Sequence, residues 1–172
     1  MSAKKLLSEQ AIEDLQSFIA NPSGFVLLTG ENGRGKSYAA MQVYEKLTPF
    51  RLPAYDHDKA WFVSQANLNM QFSEANEIYG TAIGLLKKAY ASKLLVLDDL
   101  GTRPPSVAFM DFLYALVDHR YNEKDSKGTI ITTNLGASQI RENFGDPIFS
   151  RICSGRNYVI TGEDRRFTEL GF

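Results

Sequence analysis

The sequence of 172 residues contains one cysteine, Cys153, one tryptophan, Trp61, and two histidines, His57 and His119. A single cysteine excludes an internal disulfide and fits a reducing compartment; Cys153 reads as a buried, inert thiol. His57 stands between Asp56 and Asp58 in a connection that also holds Pro53, too sparse a set for a zinc site, and His119 reads as structural. No apolar run approaches membrane-spanning length, and Met1–Leu7 lacks the apolar core of a secretory leader. The expected location is the cytoplasm, with no membrane partner. Net charge is also scarce: 19 basic against 20 acidic residues leave −1, so any nucleic-acid contact must come from a local patch.

What is present begins at residue 30. Gly30-Glu31-Asn32-Gly33-Arg34-Gly35-Lys36-Ser37 fits the phosphate-binding P-loop pattern. It follows an apolar strand, Phe25–Thr29, and precedes a segment, Tyr38–Leu47, free of proline and glycine. Strand, loop and helix are the context the motif needs. Glycines let backbone N–H groups close around a triphosphate, and the helix adds the positive end of its dipole. Lys36 reaches the β- and γ-phosphates, and the Ser37 hydroxyl can ligate Mg²⁺. The loop from Gly30 to Ser37, with Tyr38 after it, is the expected nucleotide-binding segment.

Elsewhere strands alternate with helices. Ser8–Ala20 reads as a helix, Lys36–Leu47 as a second, and Ala60–Ser64 as a strand. Thr48–Lys59 is a connection, Gln65–Phe72 a helix, and Ile78–Tyr90 a weaker one. Lys93–Asp98 is a continuous apolar run, the pattern of a strand buried on both faces. Pro104-Pro105 opens a helix whose buried stripe is Phe109, Phe112, Leu113, Leu116 and Val117. Gly128–Asn134 is a β-branched strand, Ala137–Asn143 and Pro147–Cys153 are short helices, and Tyr158–Thr161 is a last strand. The implied architecture is a three-layer α/β domain with a five-stranded parallel sheet. Residues 1–23 read as an N-terminal helix and tail, and 24–172 as the core.

In a parallel sheet the loops after the strands share one crevice. Asp98, at the end of a buried strand, is placed to hold Mg²⁺, and Asp99 to orient or deprotonate water. Asn134 ends the third strongly apolar strand and can contact a γ-phosphate or position that water. Arg151 suits either of two roles: stabilising charge on a transferred phosphoryl group from a neighbouring subunit, or a surface ion pair.

These blocks together resemble the DnaC/IstB-type AAA+ ATPases, a group that includes helicase loaders. Gly30–Ser37 resembles the Walker A loop, Leu94–Gly101 the Walker B strand with its doubled acid, and Thr132–Leu135 the sensor-1 strand. Asn143-Phe144-Gly145-Asp146 with Ser150-Arg151-Ile152 resembles the arginine-finger segment, and Gly162–Arg166 the terminal element of loaders. The resemblance implies an ASCE-type core, ATP and Mg²⁺ as cofactors, and catalysis by Lys36, Asp99, Asn134 and an Arg151 supplied in trans. It implies self-association through the ATP site, a replicative helicase or related replication protein as partner, and single-stranded DNA. Asn67, Asn69 and Gln71 within Ala66–Glu77 are candidates to face DNA, as are Lys87, Lys88 and Arg103. Two departures are expected: no separate helicase-gripping domain, and no helical lid, so that Arg165 or Arg166 would have to replace a sensor-2 arginine. An IstB-type transposition helper and a weakly hydrolysing, nucleotide-gated binding module are the alternatives.

Overall fold

The computed structural model describes residues 3–48, 60–79 and 82–162, the side chains of 76–79 aside. His57, Arg165, Arg166 and nearly all of the Thr48–Lys59 connection lie outside the described residues. The strands are β1 (Lys4–Leu7), β2 (Gly24–Thr29), β3 (Ala60–Ser64), β4 (Leu94–Leu100), β5 (Gly128–Thr133) and β6 (Arg156–Thr161). They form one sheet in the order β1-β6-β2-β5-β4-β3, and every pair is parallel.

The sheet therefore has six strands where the sequence suggests five. The addition is β1, read as part of an N-terminal tail. Lys4 to Leu7 pair with Tyr158 to Thr161, so the segment becomes an edge strand. Two exposed lysines on a short edge strand also discourage pairing with another chain.

Seven helices are described: α1 (Ser8–Asp14), α2 (Gln16–Ala20), α3 (Lys36–Leu47), α4 (Gln65–Tyr79), α5 (Ile83–Ala91), α6 (Val107–Asn122) and α7 (Ala137–Ile152). One core packs α1 to α3 on a face of the sheet through Leu15, Phe18, Ala40, Val43, Val26, Leu28 and Ile130. The other packs α4 to α7 on the opposite face through Leu68, Phe109, Leu113, Ile140, Phe144, Leu27 and Ile131. β4 shows why its sequence is uninterruptedly apolar. Leu94 and Val96 enter the first core, Leu95 and Leu97 the second, and all four are buried. Each such side chain contributes roughly 1.5–3 kcal/mol through burial.

Several boundaries differ from expectation: the Ser8–Ala20 helix is divided at Leu15 into α1 and α2, and α5 runs Ile83–Ala91 where the sequence suggests Ile78–Tyr90. α6 begins at Val107, after Pro104-Pro105, because the Ser106 hydroxyl caps it by accepting from the Phe109 amide at 3.2 Å. α4 extends to Tyr79, beyond Phe72. α7 is broken inside by Gly145 (φ 79°, ψ 161°), with Pro147 following, so its halves match the two short helices expected.

Candidate nucleotide-binding site

The loop between β2 and α3 has the backbone its glycines permit. A β-carbon on Gly30 (φ +139°) would lie 2.4 Å from the Ile160 carbonyl oxygen of β6, so only glycine lets the strands approach this closely. Gly35, in the left-handed region at φ 88°, turns the chain into α3 and leaves first-turn amides facing the loop. Lys36 is 5% exposed, and its Nζ donates to the Glu31 carbonyl oxygen at 2.8 Å, so the ammonium is folded back into the loop. Arg34 pairs with the Glu31 carboxylate at 2.6 Å and donates to the Gly162 carbonyl oxygen, tying the loop to the end of β6. Tyr38 lies exposed on the first turn of α3.

β5 lies between β2 and β4, so Asn134 emerges between the loop and the acidic pair. Asn134 lines a cavity of about 550 Å³ together with Thr29, Gly30, Glu31 and Leu135. The β4–β5 register runs Leu97 to Ile131 and then Leu100 to Thr133, which leaves one extra residue on β4 at Asp98-Asp99. Two hydroxyls of β5 close this bulge. Thr132 Oγ1 donates to Asp98 Oδ1 at 2.6 Å and accepts from the Asp99 amide at 2.9 Å. Thr133 Oγ1 donates to the Leu100 carbonyl oxygen at 2.5 Å. Asp98 is 8% exposed, whereas Asp99 is half-buried and sits at φ 55°, the only described residue other than glycine with positive φ.

Behind the bulge, buried Gln65 at the start of α4 accepts from the Gly101 amide at 2.5 Å and donates to the Arg103 carbonyl oxygen at 3.1 Å. Thr132, Thr133 and Gln65 were not singled out as individual residues by sequence. The paired threonines at a strand end were the visible signal for the first two.

The residues present fit Mg²⁺ and a triphosphate. Glycine backbone, a helix N-terminus and a buried ammonium suit a polyanion. The Ser37 hydroxyl and Asp98 carboxylate are hard oxygen donors of the kind Mg²⁺ takes beside phosphate and water.

Arg151 is not brought into this cavity. It lies in the last turn of α7, where its Nη2 meets Asp118 Oδ1 of α6 at 2.6 Å and its Nη1 donates to the Pro147 carbonyl oxygen at 2.8 Å. Its guanidinium faces the rings of Tyr114 and Tyr121 at 5.3 and 5.7 Å. It lines a separate concavity of about 540 Å³ with Tyr114, Arg141, Asp146, Phe149 and Ser150.

Among the other candidates, Lys88 lies over the buried Trp61 ring at 4.5 Å, and burial lowers its pKa. Asn67 and Arg103 are exposed, while Asn69 and Gln71 are half-buried. Cys153 is half-buried and burial pushes its thiol pKa up; His119 stacks on Tyr90 at 3.6 Å, and burial lowers its pKa.

A family model described as IstB-like ATP binding protein matches residues 2–156. The chain belongs to the IstB-like ATP-binding family. A search of curated proteins found no match. Among solved structures, this family member is similar to the DnaC helicase loader, with a TM-score of 0.73, 22% identity, and 94% of each chain covered. It is similar to DnaI, with a TM-score of 0.70, 22% identity, and 92% of this chain and 84% of that one covered. Replication initiator DnaA bound to AMPPCP and single-stranded DNA gives a TM-score of 0.74 at 15% identity, and covers 94% of this chain. The match spans 48% of that DnaA chain. At these identities the likeness establishes the fold, a three-layer α/β domain with a parallel sheet like that of the DnaC helicase loader. Among the described residues no helix is long and apolar enough to cross a membrane.

Proposed function

We propose that this family member is an ATPase of the helicase-loader type, hydrolysing ATP between adjacent protomers and using the cycle to hold and release single-stranded DNA or a replicative helicase. The observation that carries the reading is that loop, acidic pair and Asn134 follow or end three adjacent parallel strands, β2, β4 and β5, at the same end of the sheet, with Asn134 and the loop lining one cavity and Thr132 joined to Asp98. Lys36 binds the β- and γ-phosphates. Ser37 and Asp98 hold Mg²⁺, which neutralises charge on the phosphates when bound. Asp99 takes a proton from the attacking water and Asn134 orients that water. Arg151 completes the site of a neighbouring protomer, a role in which it would give up its ion pair with Asp118.

The partner assignment draws on what the similar proteins are described as doing: DnaC as a helicase loader, and DnaA as binding single-stranded DNA. The division we propose is an N-terminal helix and tail, 1–23, and an ATPase core, 24–172; the first segment is built onto the second, since β1 extends the sheet and Leu15 and Phe18 enter one of its cores.

Mixing tests the trans arrangement. Lys36→Ala and Arg151→Ala proteins are each expected to be inactive in steady-state hydrolysis. Together they regain part of the wild-type rate, because some interfaces then contain an intact Lys36 and Arg151. Absence of recovery removes the finger in trans.

The family match favours one second reading, an IstB-type helper that delivers a transposase to DNA. Pull-down with a replicative helicase against pull-down with a transposase separates the two.

A further inference from the structure

The geometry points to Thr132 as the positioning residue that holds the magnesium-binding carboxylate and the adjacent acid in register, an inference that rests on the hydrolysis reading above. Thr132 is fully buried, and its one hydroxyl does two tasks. The oxygen accepts the Asp99 amide at 2.9 Å, and the proton goes to Asp98 Oδ1 at 2.6 Å. A hydroxyl has one proton, and a backbone amide N–H only donates. The direction of the chain is therefore set: Asp99 N–H to Thr132 Oγ1, and Thr132 O–H to Asp98. A hydrogen bond to a charged acceptor is stronger than a neutral one, and linked bonds polarise each other.

The consequences differ for the two acids. For Asp98, one carboxylate oxygen is engaged, which restrains the side-chain torsion. For Asp99, the amide is anchored while the backbone sits at φ 55°. Left-handed backbone costs a non-glycine residue free energy, so it needs a restraint of this kind to persist. The register shift puts the anchor there, since the bulge breaks the regular β4–β5 pairing at these residues. Valine at 132 keeps the branched shape and deletes the hydroxyl. Serine keeps the hydroxyl and deletes a methyl.

The experiment measures three quantities for wild type, Thr132→Val and Thr132→Ser: ATP affinity in EDTA, Mn²⁺ affinity in the presence of ATP by electron paramagnetic resonance, and kcat as a function of Mg²⁺. Thr132→Val is expected to leave metal-free ATP affinity unchanged. It weakens Mn²⁺ binding about 5-fold or more and lowers kcat about 10-fold or more, the scale of a mispositioned catalytic group. Thr132→Ser returns both to within about 2-fold of wild type, as retention of the hydroxyl requires. Equal losses in the two variants overturn the proposal, since they assign the effect to packing; so does a valine variant that matches wild type. Where Thr132→Val loses its cooperative melt, Thr132→Cys, a weak donor of similar size, is expected to show an intermediate loss, and wild-type values there overturn the proposal. A wild type that binds Mn²⁺ and ATP without turnover removes the hydrolysis reading, yet leaves the Thr132 comparison readable in Mn²⁺ affinity. A wild type that takes up no metal–nucleotide overturns both.

Discussion

At the C-terminal end of the sheet, hydroxyls hold a carboxylate and backbone groups; at the N-terminal end, cations hold carbonyls. Arg120 shows the second pattern most fully. It is fully buried near the end of α6, and its guanidinium donates to Thr129 Oγ1 at 3.0 Å, to the Ala89 carbonyl oxygen at 3.1 Å, and to the carbonyl oxygens of Ser92 and Gly128. Nearby, Lys93 Nζ donates to the Ser126 carbonyl oxygen at 2.6 Å and Lys127 Nζ to that of Tyr90. Burial pulls the Arg120 pKa down to about 10, which still leaves it charged at neutral pH. Three carbonyls and a hydroxyl around the charged arginine engage four of its five N–H donors and join α5, α6 and β5. The opposite end has a left-handed backbone at Asp99, a register shift and an acidic pair. One end is built for permanence, and the other holds the residues to which the proposed function assigns the chemistry.

Asp99→Asn breaks this contrast most sharply if it fails. Asparagine tolerates the left-handed region as well as aspartate does, so the backbone at φ 55° is retained. The lost carboxylate is the proposed base. Hydrolysis is expected to fall about 10³-fold, within the range for removing general-base assistance. ATP affinity and the melting temperature are expected to stay near wild type. A large fall in melting temperature would mean that the chemical end also carries the fold.

Arg120→Met tests the other side. Methionine fills much of the volume but offers no donor, so several buried carbonyls lose their partner. Each orphaned buried acceptor costs roughly 1–3 kcal/mol. A loss of about 3 kcal/mol or more in urea unfolding is expected, with ATP affinity below the transition unchanged. Reduced affinity in the folded variant would show that the two ends communicate.

The chemical end was the more legible one in the sequence. Gly30, Gly35, Lys36 and Ser37 are local: their spacing alone encodes the loop. The apolar run at Leu94–Leu97 likewise reports burial on both faces without knowledge of its neighbours. β1 was missed because Lys4–Leu7 is too short to show a strand period, and it becomes a strand only by pairing with β6, far along the chain. The Thr132 link depends on a register shift, and the Arg151–Asp118 pair spans 33 residues; neither is a property of a local window. Arg120 did leave a trace. It continues the Leu113, Leu116, Val117 stripe at helical spacing, so a charged residue on a buried face was the signal that an anchored arginine stands there.

The smallest effect concerns the edge where β1 joins. Asp14 of α1 accepts from Lys4 Nζ at 2.9 Å and from the Tyr158 hydroxyl at 2.7 Å, and so clips β1, α1 and β6 together. The Lys4 hydrogen bond, then that of Tyr158, lowers the Asp14 pKa below its ordinary 3.8, with Arg156 helping through its charge. Burial first, then the Asp14 contact, pushes the Tyr158 hydroxyl up to about 12, so it remains a donor at neutral pH. For a carboxyl lowered on folding, the stabilisation is present above the unfolded pKa and lost as pH falls through the folded one. Asp14 is 38% exposed, so solvent screens the pair and the contribution stays under about 1 kcal/mol. Asp14→Asn is therefore expected to melt slightly below wild type at neutral pH, and the gap to close in acid below about pH 4, as the wild-type carboxyl protonates. A gap that persists unchanged in acid would assign the clip to shape and neutral hydrogen bonding rather than charge, and would place this edge with the cation-on-carbonyl end of the sheet.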